Sequence, residues 1–258
     1  MDIKDFFVEI QKNKIPEHFF MHKFGRNDEI PNGSWAIISP SAPSGAFPTS
    51  GVRIRIKAGG STNDIVNGTG AREVTIIGIN TDLIETTENI VTSGENTSLS
   101  TTNRFWRIYR AYVSCVGTYW GANDDDIILE DEDSINDMLT IKAGEGQTQH
   151  GAYSIANNRK GYLSSIHITS DALKAADFRL FIRDSFNQTT PPVCSKRIKL
   201  FFDGILGSFI YKPVSPGLIL NPLSDIWVEA RGAGAGTEVS VDFEILLVND
   251  PSGPIKTI

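Results

Sequence analysis

Residues 52–57 read Val52-Arg53-Ile54-Arg55-Ile56-Lys57, with apolar and basic side chains in strict alternation. A period of two is the pattern of a strand with one buried face. Glu73-Val74-Thr75-Ile76-Ile77-Gly78-Ile79 is a second such run. Asn80-Thr81-Asp82 then supplies turn residues before a third run, Leu83–Val91, so the two runs predict a hairpin. Phe105–Val113 is the most aromatic candidate strand. Others follow near 126–130, 138–142, 150–155, 160–169, 177–183, 196–203, 208–213, 225–231 and 238–248, with Gly- and Asn-rich turns between several of them. Short strands at even spacing predict an all-β sandwich or barrel. The chain holds 31 Ile against 14 Leu, which agrees, because β-branched residues favour sheets. Ser170–Ala176 is the one helix candidate in this part of the chain.

Residues 1–50 read differently. Asp2 is placed to cap a short amphipathic helix with Ile3, Phe6, Phe7 and Ile10 at helical spacing, closed by Pro16. An aromatic and basic patch follows, Phe19-Phe20-Met21-His22-Lys23-Phe24-Gly25-Arg26. Pro31, Pro40, Pro43 and Pro48 then predict irregular or extended chain. This predicts two parts: an N-terminal arm, 1–50, mostly irregular with one short helix, and a β-sandwich domain, 51–258.

The 258 residues include 24 Lys and Arg against 31 Asp and Glu, a net charge of −7. That balance argues against general binding to nucleic acid or to an anionic membrane. No apolar run approaches the ~18–20 residues that span a bilayer. Met1-Asp2-Ile3-Lys4-Asp5 does not read as a signal peptide, so synthesis in a cytoplasm is expected. Cys115 and Cys194 are too few for a disulfide framework or a thiolate metal site, and Cys115 reads as a small buried hydrophobe.

Chemistry-bearing clusters are sparse. His18 and His22 would share a helix face, but nothing nearby completes a metal site. His150 and His167 read as solvent-facing strand residues. Asp124-Asp125-Asp126 and Glu130-Asp131-Glu132-Asp133 lack the spacing of a calcium loop and read first as solvated edge charge, with weak divalent-ion binding as the alternative. Gly68-Thr69-Gly70 lacks the Lys-Ser/Thr ending of a phosphate loop. No nucleophile elbow occurs, so a non-enzymatic protein with no cofactor and no metal is expected. Trp106, Tyr109, Tyr112, Tyr119 and Trp120 suit core or subunit packing, or the stacking of sugars.

The order of several segments resembles a group of tailed-phage virion proteins, found in marine podovirus-like genomes and described as structural or head-decoration proteins. The segments are His22–Asn27; Ser61–Asp64 with Gly68–Ile79; Thr101–Ile108 leading into Ala111-Tyr112-Val113; Ala143–Thr148 followed by Gly161-Tyr162-Leu163; and Val241–Val248. Together they cover about residues 18–250. Residues 122–140 are longer and more acidic than the group's pattern. The resemblance implies a jelly-roll-like sandwich that acts as a capsid decoration or cement protein on the virion surface. It would be a homotrimer bound to the major capsid protein and to copies of itself. The arm would dock it through Phe19, Phe20, His22, Phe24 and Arg26, so removing 1–50 should leave a folded body that no longer joins the particle. Three rival expectations are a receptor- or glycan-binding module of a head or tail fibre, using Tyr119, Trp120 and 124–133; a carbohydrate-active or other hydrolytic enzyme on the same fold; and a protein of the portal–tail junction.

Overall fold

The computed structural model describes residues 5–40, 47–213 and 217–249. One helix, α1 (Phe6–Gln11), precedes β1 (His18–Ile30), β2 (Ala36–Ile37), β3 (Ile54–Ile56), β4 (Ala71–Asn80), β5 (Glu85–Val91) and β6 (Phe105–Val116). Then come β7 (Ile127–Asp131), β8 (Asp137–Ile141), β9 (Ala152–Ser154), β10 (Arg159–Ser170) and β11 (Ala176–Arg183). The chain continues with β12 (Arg197–Ile205), β13 (Ser208–Tyr211), β14 (Leu218–Leu220), β15 (Asp225–Gly232) and β16 (Thr237–Asn249). Among the described residues the protein is all-β with one six-residue helix. The 73–79/83–91 hairpin forms as β4 and β5, paired antiparallel from Glu73↔Val91 to Ile79↔Glu85. Ser170–Ala176 is not a helix: Asp171 accepts a hydrogen bond from the Leu173 amide in a turn instead.

Four sheets form two sandwiches. Sheet A runs β1-β16-β10-β13 with β14 also on β10, and sheet B runs β12-β11-β15-β2 with β9 also on β15. Their facing sides bury one core, where Leu163, Ile166, Val241 and Phe243 meet Phe178, Leu180, Ile226 and Val228. Residues 52–148 build the second sandwich between β2 and β9, from sheet C (β5-β4-β6) and sheet D (β3-β7-β8). Ile54 and Ile56, the inward residues of the alternating run, join Val74, Ile76, Phe105 and Leu129 in a separate core. A strand with one apolar face is stable only when that face is covered, and here each pair of sheets covers its own.

The arm predicted over 1–50 is instead largely part of the body. β1 is thirteen residues long and runs along β16 from His18↔Val248 to Ile30↔Thr237. Its inward residues, Met21, Lys23, Gly25 and Asn27, are not a run of apolar side chains, which is why the segment reads as irregular in sequence. Lys23 and Asn27 are satisfied by carbonyls at Tyr109 and Ser39. Gly25 has no room for a side chain, since a Cβ there would lie 2.4 Å from the Gly151 nitrogen. The helix is capped by Asp5, whose carboxylate accepts from the Phe7 and Val8 amides at 2.9 and 3.2 Å. The expected cap, Asp2, and Pro43 lie outside the described residues.

Candidate functional site

Four of the five arm residues singled out in the sequence share one face. Phe20, His22, Phe24 and Arg26 alternate outward along β1, while Phe19, 43% exposed, sits at the strand's start beneath the Arg159 guanidinium. On the neighbouring strand, Asp242 holds His22 Nε2 at 2.9 Å and Glu238 holds Arg26 at 2.8 Å. At the other end of the row, Phe7 of α1 packs on Phe20, ring centroids 5.4 Å apart. Between α1 and sheet A lies a groove of about 600 Å³ lined by Phe6, Phe7, Tyr162, Leu246 and Val248. Phe6, Phe7, Val8 and Ile219 stay 41–52% exposed around it. The result is an apolar ledge continuous with a charged row.

The join between the sandwiches buries polar groups beside apolar contacts from Ile79 and Tyr109. Arg107 of β6 donates two hydrogen bonds to Asp225 of β15, at 2.9 and 3.0 Å, and the pair is 1% and 0% exposed. Arg183 and Ser154 complete the Asp225 carboxylate at 2.6 and 2.7 Å. Nearby, Tyr109 and Tyr153 pack edge to face, centroids 4.5 Å apart, and both hydroxyls point to Glu85. Lys23 is buried against the Tyr109 carbonyl, and desolvation, reinforced by Arg110, pushes its pKa well below the usual lysine value. His150, expected at the surface, is 1% exposed, and its Nδ1 has no hydrogen-bond partner among the described residues. Burial first, then the Lys23 charge, lower its pKa to about 3.

His18 and His22 lie on a strand rather than a helix, so four residues separate them by about 13 Å at ~3.3 Å per residue. His18 bonds the Pro16 carbonyl, and His167 bonds the Ser208 hydroxyl at 2.7 Å. Among the described residues no group of three or more His, Cys, Asp or Glu is placed to hold a metal ion. Cys115 is exposed, not buried, because the end of β6 runs past the second core.

The acidic segment mostly serves its own hairpin. Asp131 accepts from the Ile135 amide and the Asn136 side chain, Glu130 pairs with Arg55 at 2.8 Å, and Glu132 pairs with Arg104 at 2.9 Å. Hydrogen bonds from Ser61 and Asn63 hold the Asp124 carboxyl below its usual pKa. Residues 51–148 nevertheless hold eight Lys and Arg against fifteen Asp and Glu. The second sandwich thus carries the whole net charge of −7, and the remaining residues balance at sixteen of each sign.

Beside this segment, Tyr119 and Trp120 project from the end of β6, 85% and 90% exposed, with ring centroids 5.3 Å apart. Their turn is closed by Gly121 N donating to the Thr118 carbonyl at 2.8 Å, and Trp120 occupies its third position at φ +64°. Glycine or asparagine is the usual residue there. The turn's base is fixed, since a Cβ on Gly117 would lie 1.9 Å from the Gly68 oxygen. Of the other aromatics weighed for sugar stacking, Tyr109 is in the core, Trp106 packs against it, and Tyr112 is 38% exposed.

A feature missed in the sequence lies on the outer face of sheet B. Phe181 stacks on Trp227 at 5.3 Å, and Phe47 closes on the same indole at 5.2 Å. Lys196 lies 4.6 Å over the Phe181 ring, and Arg179 lies 4.0 Å over Trp35. Glu229 sits among them, accepting from Trp227 Nε1 at 2.9 Å and Arg179 at 2.8 Å. A groove of about 350 Å³ opens between Ile37, Phe47, Trp227 and Cys194, with Arg183 and Lys196 on its rim. The residues come from four separate parts of the chain, so no local motif announces them.

No family model matches this chain, and no curated protein sequence matches it. Solved structures with some likeness include the Gt strain of infectious bursal disease virus, at 8% identity and TM-score 0.20, covering 99% of this chain and 88% of that one. The VP2 subviral particle of infectious bursal disease virus has 9% identity and TM-score 0.22, covering 92% of this chain and 74% of that one. Likeness at this level does not establish a shared fold, and the functional reading rests on the chain's own geometry.

Proposed function

We propose that this protein is a non-enzymatic structural component of a tailed-phage virion, a decoration or cement protein that binds the major capsid protein on the outside of the head as a homotrimer. The observation that carries the reading is the apolar ledge of α1 continuous with the outward row of β1. A monomer has no use for Phe6, Phe7 and Val8 at 41–52% exposure on one side of a sheet, and such patches mark interaction surfaces. The segment-order resemblance to phage head proteins supplies the partner. The docking element is then a rigid strand face, Phe20, His22, Phe24 and Arg26, with Phe19 at its edge, rather than a free arm.

The jelly-roll part of the proposal is supported by strand order. Taking β1, β2, β10, β11, β12, β13, β15 and β16 as strands one to eight, sheet A reads 1-8-3-6 and sheet B reads 2-7-4-5. That is the order of a double-sheet jelly roll, the architecture of many viral capsid domains. The second sandwich is then an insertion between strands two and three. Fold order is an argument about architecture only; function is argued from the ledge.

The test is co-sedimentation of the purified protein with heads built from the major capsid protein of the same phage. The expected result is saturable binding that is lost in Phe20→Ala/Phe24→Asp, with the circular dichroism spectrum unchanged. Absence of binding by the unaltered protein would overturn the proposal.

A further inference from the structure

The turn Thr118–Gly121 holds a tryptophan under two costs at once. Trp120 is 90% exposed, so its indole gains nothing from this chain's cores. It also occupies a backbone conformation, φ +64°, that disfavours any residue with a Cβ. Strained, solvent-facing aromatics persist where a partner returns the cost. The tip is therefore built to be buried by something outside this copy.

The same molecule carries a receptor of matching chemistry. The groove on the outer face of sheet B has Phe47 and Trp227 as aromatic walls, Cys194 at its side, Glu229 in its lining, and Arg183 and Lys196 on its rim, Arg183 paired with Asp225 at 2.6 Å and Lys196 3.8 Å from Glu229. Its volume of about 350 Å³ lies in the range of small, specific pockets. The tip projects from the sandwich that carries the entire net charge of −7, with Asp124 and Asp125 exposed close by in sequence. An acidic module presenting an aromatic tip complements an aromatic groove whose lining holds two cations against one carboxylate, and such complementarity favours encounter and fixes register.

We infer that Tyr119 and Trp120 of one copy seat in the Phe47–Trp227 groove of the next copy. The two patches differ, so the contact is head-to-tail, and three copies close it into a ring. This deepens the trimer of the proposed function by naming the surfaces that join it, but the contact is a property of the free protein and is tested without capsids.

The experiment uses the native thiol in the groove. In a Cys115→Ser background, Tyr119→Cys places a thiol on the tip and leaves Trp120 in position. Mild oxidation is expected to give intermolecular disulfide-linked dimers and trimers on a non-reducing gel, which disappear when Cys194→Ser is added. In parallel, Trp120→Gly is expected to drop the solution mass from three times 28.3 kDa to 28.3 kDa with the fold retained by circular dichroism. A folded Trp120→Gly variant with unchanged mass, or no cross-link dependent on Cys194, overturns the inference. So does a tip that leaves the mass unaffected and instead gives sugar-dependent tryptophan fluorescence. Head binding by a protein that fails these tests would leave the capsid reading standing without this contact. Cross-linking by a protein that ignores heads would do the reverse.

Discussion

The sandwich around Phe178 and Phe243 is dressed on its outer faces: α1 lies over one end of sheet A, and Trp35 and Phe47 lie over sheet B. The sandwich around Ile54 and Leu129 holds all of the net charge and ends in the Tyr119–Trp120 tip. The first core mixes aliphatic side chains with Tyr153, Phe178, Phe186 and Phe243, the second is aliphatic apart from Phe105, and both are built from antiparallel pairs. What separates them is what they do with their surfaces: the first offers grooves, and the second offers a projection. They meet through a buried ion pair and a tyrosine pair, and through Ile79, Tyr109 and Trp106, which the second sandwich packs onto the first core.

Removing β1 has the largest expected effect. Deleting residues 1–30 takes away an edge strand with eleven residue pairs to β16 and uncovers the first core while leaving the second intact. The expected result is loss of a folded first sandwich, because the deficit exceeds the ~5–15 kcal/mol that holds a domain together. It is read by circular dichroism and soluble yield. A truncated protein with native spectra would mean that β1 is an arm after all.

Next in size is Asp225→Ala. It leaves Arg107 buried at the join without its counter-charge, and a loss of about 3–5 kcal/mol is expected. Urea titration followed by tryptophan fluorescence measures it. If the join orients the second sandwich, the transition also splits in two, as the sandwiches lose their coupling.

A graded effect comes from His150. Its pKa of about 3 in the folded protein lies below the 6.5 of an unhindered histidine, so the unfolded chain binds the extra proton between those values. Its contribution to stability is therefore complete above pH 6.5 and declines as pH falls toward 3, by up to ~1.4 kcal/mol per unit. His150→Leu should flatten this part of the pH–stability profile relative to the unaltered protein. Equal slopes from pH 6.5 to 4 would mean that His150 is not held neutral.

The smallest change in stability is the most diagnostic. Trp120→Gly relieves the φ +64° backbone and should raise monomer stability by about 1 kcal/mol, read by thermal unfolding at a protein concentration low enough that the unaltered protein is dissociated too, since association itself adds stability. A contact residue whose removal stabilises the subunit is one kept for its partner. A destabilised variant would mean that the tip serves the fold instead.

How much of this was legible in the sequence follows from the range of each interaction. Alternation at 52–57 and 73–91 is local, and it marked the strands correctly. β1 was not legible as a strand because its inward Lys23 and Asn27 look exposed until Tyr109 and Ser39 are brought to them. The division into two cores was hidden for a related reason. Strands of both sandwiches alternate alike, and only pairing shows that 52–148 closes on itself. His150 and Cys115 exchanged their expected environments, since each sits where a neighbouring element, rather than its own pattern, decides burial. The row Phe20–Arg26 was legible as chemistry but not as geometry, and the groove at Trp227 was not legible at all.

The most direct test of the central claim, that this chain is a self-assembling structural subunit, is its mass in solution by native mass spectrometry at micromolar concentration. The account predicts a species at three times 28.3 kDa that collapses to 28.3 kDa in Trp120→Gly. A monomer across the whole concentration range, with the tip intact, would contradict it.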